Sequence, residues 1–139
     1  MNRGFSLLEV LVALLVIMLL FTAGAKISIL STRSGSYARD HTLAAVLGHA
    51  GLVRLAGLDH GSPELRAGWH RDPANPIEYD GRGGYYRFWQ IDESPMGKQV
   101  VLFVVWNEGV RKASDFGSLV SLKESGCPQV SFSEIIPSP

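Results

Sequence analysis

The chain has 139 residues, 46% hydrophobic and 19% charged, and its 13 acidic and 13 basic residues cancel. This length allows one small domain with an appendage, and neutral charge without a basic block disfavours a nucleic-acid partner. The single cysteine, Cys127, excludes an intrachain disulfide and a cysteine-based metal cluster.

The first predicted element is an apolar segment at residues 5–25, in which Glu9 is the one ionisable side chain. As a helix it spans ~31 Å, the thickness of a bilayer core. A carboxylate in hydrocarbon costs about 2.5–3.5 kcal/mol on insertion scales, so such an acid indicates a functional site. Arg3 precedes the segment and Lys26 and Arg33 follow it, so charge orients it only weakly, and the short leader favours a cytoplasmic N-terminus.

Two other interpretations of this segment remain open. A secretory signal would have its apolar region at residues 10–21 and a cleavage site at residues 23–25, and it would release a soluble exported binding domain starting at Lys26. Glu9 inside the apolar stretch and the minimal positive region count against it. A plain single-span anchor leaves Glu9 unexplained.

Residues 4–13, GFSLLEVLVA, resemble the processing motif of type IV pilins and type II secretion pseudopilins. The resemblance implies that a membrane prepilin peptidase removes residues 1–4 by cutting after Gly4 on the cytoplasmic side, and that it methylates the new N-terminal residue, Phe5. It also implies that Glu9 is the glutamate required for assembly. The implied partners are other pilin or pseudopilin subunits, this peptidase and methyltransferase, the membrane and an inner-membrane assembly platform.

The physical chemistry of the segment agrees with this resemblance. Cleavage leaves a protonated amine at Phe5, one helical turn from Glu9, so the two charges can neutralise each other within a chain or between neighbours. A buried pair adds little stability, but it can fix the register of a subunit because a misplaced chain leaves both charges unpaired.

The next predicted elements are the amphipathic half of the same helix and a loop. Residues 26–57 contain no proline and have apolar positions at helical spacing, which predicts a helix that is bent or frayed near residue 35 and ends at Gly57. Residues 58–84 are rich in Gly, Pro, Asp and Asn, which predicts the variable loop between helix and sheet.

Residues 85–139 are predicted to form the β-sheet head and its C-terminal tail. Aromatic residues 85–91 and apolar residues 98–106 indicate two strands joined by a hairpin loop over residues 92–97. The second strand is apolar on both faces, so one face is expected on the helix and the other under a loop, the tail or a neighbouring molecule. Further strands are predicted at residues 119–123 and 130–136. The predicted fold is α+β, the pilin fold, with a long N-terminal helix packed on a small antiparallel sheet of about three or four strands.

The predicted hairpin resembles the head of PilV-type minor pilins and of the I-type minor pseudopilin. The resemblance is carried by aromatic residues 86–91, Pro95, Lys98 and the apolar strand ending at Trp106. It implies a minor, low-copy subunit whose sheet contacts neighbouring subunits. The residues predicted to make these contacts are Trp89, Val101, Phe103, Val105 and Trp106.

Catalytic and metal sites are not predicted. His41 and His49 lie eight residues apart, about 12 Å along a helix, which is too far for one ion. His60 and His70 have no carboxylate or cysteine at ligand spacing, and the sequence contains neither a nucleophile elbow nor a phosphate-binding loop. We therefore expect that the protein is not an enzyme and that it needs no cofactor.

The sequence thus predicts a single-pass bacterial inner-membrane protein that later enters a periplasmic or surface filament. The predicted function is a minor type IV pilin acting in assembly or initiation at or near the tip. The alternatives are a type II secretion minor pseudopilin and, from another class, the soluble exported domain.

Overall fold

The structure is a computed structural model that describes residues 7–79 and 84–137. Helix α1 covers Leu7–Ala56 and is followed by a 3-10 turn at Pro63–Leu65. The other elements, in chain order, are β1 (Gly68–Arg71), β2 (Ile77–Glu78), β3 (Gly84–Ser94), β4 (Gly97–Trp106), α2 (Leu119–Glu124) and β5 (Gln129–Pro137). These elements bear out the predicted α+β pilin fold, with a five-stranded antiparallel sheet where three or four strands were expected.

The chain divides into two compact units, Met1–Arg39 and Asp40–Pro139, and we call the second unit the head. The described part of the first unit is helical throughout, including the position near residue 35 where a bend was predicted. One glycine there costs only about 1 kcal/mol, so the surrounding helix formers maintain the helix. In the head, the sheet order is β1-β3-β4-β5, with β2 also paired to β3.

The apolar strand β4 is buried on both faces, as its sequence predicts. Alternate residues of β3 and β4 join the head part of α1 in one core cluster that includes Leu52, Leu55 and Trp89. The remaining alternate residues, with Phe88 and Phe103 among them, form a second cluster. The connection over residues 107–127 supplies Ala113, Leu122 and Cys127 to this second cluster, so the cover is a loop with a short helix.

Three local predictions are wrong in informative ways. Residues 119–123 form α2 instead of a strand, because Ser118 caps the helix in a reciprocal capping box with Ser121. The predicted loop over residues 58–84 contains β1 and β2, which add to the edge of β3. The hairpin loop is shorter than residues 92–97, because β3 and β4 remain paired up to Ser94 and Gly97.

The glycines of the head part of α1 allow close contact between helix and sheet. A Cβ atom at Gly48 would lie 2.2 Å from the Phe132 ring, and one at Gly51 would lie 2.8 Å from Arg87 Cδ and from Leu102 Cδ1. In the sequence these glycines only weaken a helix. In the structure they leave the space that Phe132 and Arg87 occupy.

A buried ion pair joins the segment after β1 to the centre of the sheet. Arg87 on β3 places Nε 2.7 Å and Nη2 2.5 Å from Oδ2 of Asp72, whose side chain is 3% exposed. The other carboxylate oxygen of Asp72 accepts from the backbone N–H of Ala74 at 2.9 Å. Arg87 Nη1 also donates to the carbonyl of Leu47 on α1 at 3.0 Å, through the space left by Gly51.

Further groups complete this charged cluster. The Asn75 side chain exchanges hydrogen bonds with the backbone of Arg87 at 2.8 and 2.9 Å, in the place of a neighbouring strand. Arg54 on α1 pairs with Glu64 at 2.8 Å and lies over the ring of Trp89. Helix, 3-10 turn, loop and sheet of the head are therefore connected through a few directional contacts.

Removing the negative charge of this pair should destabilise the head. We expect Asp72→Asn to lower the free energy of unfolding by about 3–5 kcal/mol, because Arg87 is left as an unpaired charge in a buried site. The measurement is urea unfolding of the full chain in detergent, followed by the fluorescence of its three tryptophans, all in the head.

The matched control is Asp115→Asn, which breaks the exposed pair of Arg71 and Asp115, with side chains 51% and 47% exposed. This change should cost at most about 1 kcal/mol. Equal losses in the two variants would contradict the role assigned to the buried pair.

Candidate membrane and assembly segment

The described part of the apolar segment, residues 7–25, is a helix whose large side chains have no protein cover. The large apolar residues from Leu7 to Phe21 are between 47% and 80% exposed. Soluble monomers seldom expose a continuous apolar surface of more than a few hundred Å², and larger ones mark a membrane or protein contact. This surface therefore requires lipid or other apolar helices around it.

The polar groups of the segment are compatible with an apolar environment. Thr22 donates its hydroxyl hydrogen to the carbonyl of Leu19 at 2.9 Å, within the same helix. Backbone groups in a helix are paired within it, which is what a bilayer demands of a spanning element. Within the described chain, α1 is the helix long and apolar enough to cross a membrane. Its residues 7–25 rise by about 28 Å.

Glu9 lies in the first described turns of this helix, with an exposed side chain among exposed leucines and valines. A carboxylate near a helix N-terminus is favoured by the positive end of the helix dipole. The predicted cleavage residue Gly4 and the predicted methylated residue Phe5 lie outside the described residues.

One face of the same helix carries a groove that sequence reasoning did not identify. Residues Ile17, Leu20, Phe21, Gly24 and Ala25 line about 540 Å³ of open apolar space. Gly24 has nothing within 4 Å of the position of a Cβ atom. Small residues on a membrane helix let a second helix approach closely. The sequence does contain a signal for this groove, because the small residues Gly24 and Ala25 follow Leu20 and Phe21 by one helical turn.

The residues predicted as subunit contacts lie inside the head. Trp89, Val105 and Trp106 are at most 3% exposed, Phe103 is 7% exposed, and Val101 is half-buried. Trp89 donates its indole N–H to the carbonyl of Glu64 at 2.9 Å. These side chains therefore build the two core clusters and have little surface to offer another molecule.

Structural partners are found for His41, His60 and His70. His60 Nε2 lies 2.6 Å from the carbonyl of Pro137, and His70 Nε2 lies 2.6 Å from that of Arg66. His70 stacks on Trp89, and His41 meets Trp106 edge-on. In the part of the chain that the structure describes, no group of three His, Cys, Asp or Glu side chains could hold a metal ion.

Comparison with known families agrees with the sequence resemblance. Residues 1–25 match the family model described as the prokaryotic N-terminal methylation motif. No curated protein and no solved structure matches the chain. This match supports a type IV pilin-like family, and the long apolar helix with its small antiparallel sheet is consistent with the pilin fold. More specifically, the motif supports a pilin or pseudopilin that is a substrate of prepilin peptidase and associates with other pilin subunits.

Charges placed in the apolar segment should prevent membrane retention. We expect Leu14→Arg/Met18→Arg to be lost from the carbonate-resistant membrane fraction, because each arginine costs about 2.5–3.5 kcal/mol at the centre of a bilayer. The two native side chains are 54% and 72% exposed, so an exposed helix in water would tolerate both changes.

The control is Val46→Arg/Val53→Arg in the head part of α1, at positions 59% and 60% exposed. It should remain in the membrane fraction like the natural chain. Retention of both variants would contradict a membrane role for residues 7–25.

Proposed function

We propose that this chain is a minor type IV pilin that acts in filament assembly or initiation at or near the tip. The observation that carries the proposal is the exposed apolar helix that follows directly on a methylation motif and contains a single acid, Glu9. A helix of this kind is stable in two apolar environments, which it occupies one after the other. Lipid surrounds it before assembly, and other apolar helices surround it in the filament.

Processing starts the sequence of events. The peptidase cuts after Gly4 on the cytoplasmic side of the inner membrane and methylates the amine of Phe5. The chain then spans the membrane once, with its head in the periplasm. Transfer of the helix from lipid into a bundle costs little, because both surroundings are apolar and packing decides the balance.

Glu9 sets the height of the subunit. Its carboxylate pairs with an N-terminal amine, and where that amine belongs to a neighbouring chain, only one axial position satisfies both charges. Gly24 has nothing within 4 Å of the position of a Cβ atom, so an adjacent helix can approach closely there.

The soluble-domain alternative requires cleavage after Ala25. That bond lies within α1, which the structure describes as one helix from Leu7 to Ala56. The family match over residues 1–25 favours cleavage at the methylation motif instead. The motif itself is shared by type II secretion pseudopilins, so a deletion strain separates the two filament systems. Loss of surface fibres supports the pilin, and loss of exoprotein release would replace it with the pseudopilin.

The N-terminus of the mature protein tests the proposal most directly. We expect mass spectrometry of the cell-envelope form to show loss of residues 1–4 and one added methyl group on Phe5. The control is the same measurement in a strain without the peptidase, where the full chain should persist. A mature protein starting at Lys26 would contradict the proposal.

Substitution of the acid tests the register role. We expect Glu9→Val to be inserted and processed normally, but to fall more than about tenfold in sheared fibres, because an unpaired amine among apolar helices costs several kcal/mol. The control is Glu93→Val, which removes an exposed acid of β3 in the head. Normal incorporation of the Glu9 variant, or an equal loss in the control, would refute the role.

A further inference from the structure

The helix that follows the apolar segment has two different faces. Lys26 and Arg33 are two turns apart and lie within about 20° of each other around the axis. Leu30 and Tyr37 lie within about 40° of Lys26, on the same side. We call these four residues the cationic face. All four side chains are exposed in the structure, Leu30 by 66% and Tyr37 by 47%.

The opposite face is small and polar. It consists of Ser28, Ser31, Thr32 and Gly35, and the Thr32 hydroxyl donates to the carbonyl of Ser28 at 3.0 Å. The remaining cation of this segment, Arg39, lies on the side away from Lys26. Residues 10–39 contain no aspartate or glutamate, and the next acid on this side of the helix, Asp40, accepts a hydrogen bond from the Tyr85 hydroxyl at 3.1 Å.

The location of the cationic face matches the headgroup layer of a bilayer. Lys26 follows directly after the apolar segment, and Arg33 lies about 12 Å beyond Ala25 along the helix. A headgroup layer adds about 5–8 Å to each side of the hydrocarbon core. Side chains on a helix lean toward its N-terminus, which here is the direction of the membrane, so both cations reach back toward this layer.

The composition of the face fits the same environment. Long basic side chains extend to headgroups while their stems cover apolar surface. From this arrangement we infer that the cationic face binds the anionic phospholipid headgroups of the leaflet next to the head. The inference rests on the proposed membrane anchoring, and it adds a lipid partner that holds the subunit in place before assembly.

Lipid retention by the full-length, processed protein tests this binding. The protein is purified in micelles containing equal amounts of phosphatidylglycerol and phosphatidylcholine, and native mass spectrometry identifies the lipid that stays bound. We expect the natural chain to retain phosphatidylglycerol preferentially, by about fivefold for each cation. Lys26→Gln/Arg33→Gln should retain both lipids equally.

Two matched variants test whether the lipid preference depends on these two positions or only on the net charge of the chain. Arg111→Gln/Lys112→Gln removes the same charge from exposed positions of the head and should keep the preference. Lys26→Arg/Arg33→Lys exchanges the two cations and should keep it as well. No preference in the natural chain, or an equal loss in the head control, would overturn the inference.

The other candidate occupant of the face is a set of acidic side chains on a neighbouring subunit. That occupant predicts an unchanged lipid preference in Lys26→Gln/Arg33→Gln together with reduced incorporation into fibres, and this result would also overturn the inference. Carbonate extraction of the natural chain distinguishes the two proposals. A chain that is not membrane-inserted contradicts the proposed function, whereas an inserted chain without lipid preference contradicts only the lipid partner.

Discussion

The uncovered apolar surface of residues 7–25 is the constraint from which the function follows. About half or more of each large side chain from Leu7 to Phe21 is exposed. At roughly 25 cal/mol per Å² of apolar surface, leaving this helix in water would cost more than a small domain gains by folding. The helix therefore needs an apolar environment, and under the proposed function lipid provides it before assembly and other apolar helices provide it afterwards.

The head solves a different problem, which is to hold a sheet against a helix with few residues. Its two core clusters cover both faces of β4. The buried pair of Asp72 and Arg87 adds a contact that depends on orientation. Apolar packing alone would allow the helix to slide along the sheet. The Arg87 guanidinium fixes their relative position, because it bonds both the Asp72 carboxylate and the Leu47 carbonyl. Gly51 is the residue that makes this geometry possible, because any side chain there would occupy the position of Arg87.

The sequence predicts well where the pattern is long and regular. Helix α1, the two central strands and β5 are all predicted from stretches of seven or more residues, and the N-terminal motif is confirmed by the family match. The wrong predictions concern short segments whose secondary structure depends on a few specific contacts. The capping box of Ser118 makes residues 119–123, predicted as a strand, part of a helix, and β1 and β2 form because β3 offers a free edge. The burial of Trp89 and Trp106 depends on tertiary packing, which strand composition cannot distinguish from exposure to a partner.

Charge spacing connects the apolar helix to its environment at both ends. Between Glu9 and Lys26 no residue is charged, and the two positions are about 26 Å apart along a helix, close to the thickness of the hydrocarbon core. With a cytoplasmic N-terminus, the acid lies near one boundary of the core and the first cation near the other. Under the proposed function, headgroups neutralise Lys26 only while the chain is in the membrane, whereas Glu9 has an N-terminal amine as its partner in the filament as well. Assembly would then replace the electrostatic contacts at one end of the helix and preserve those at the other, so that the acidic end carries the register through the transfer.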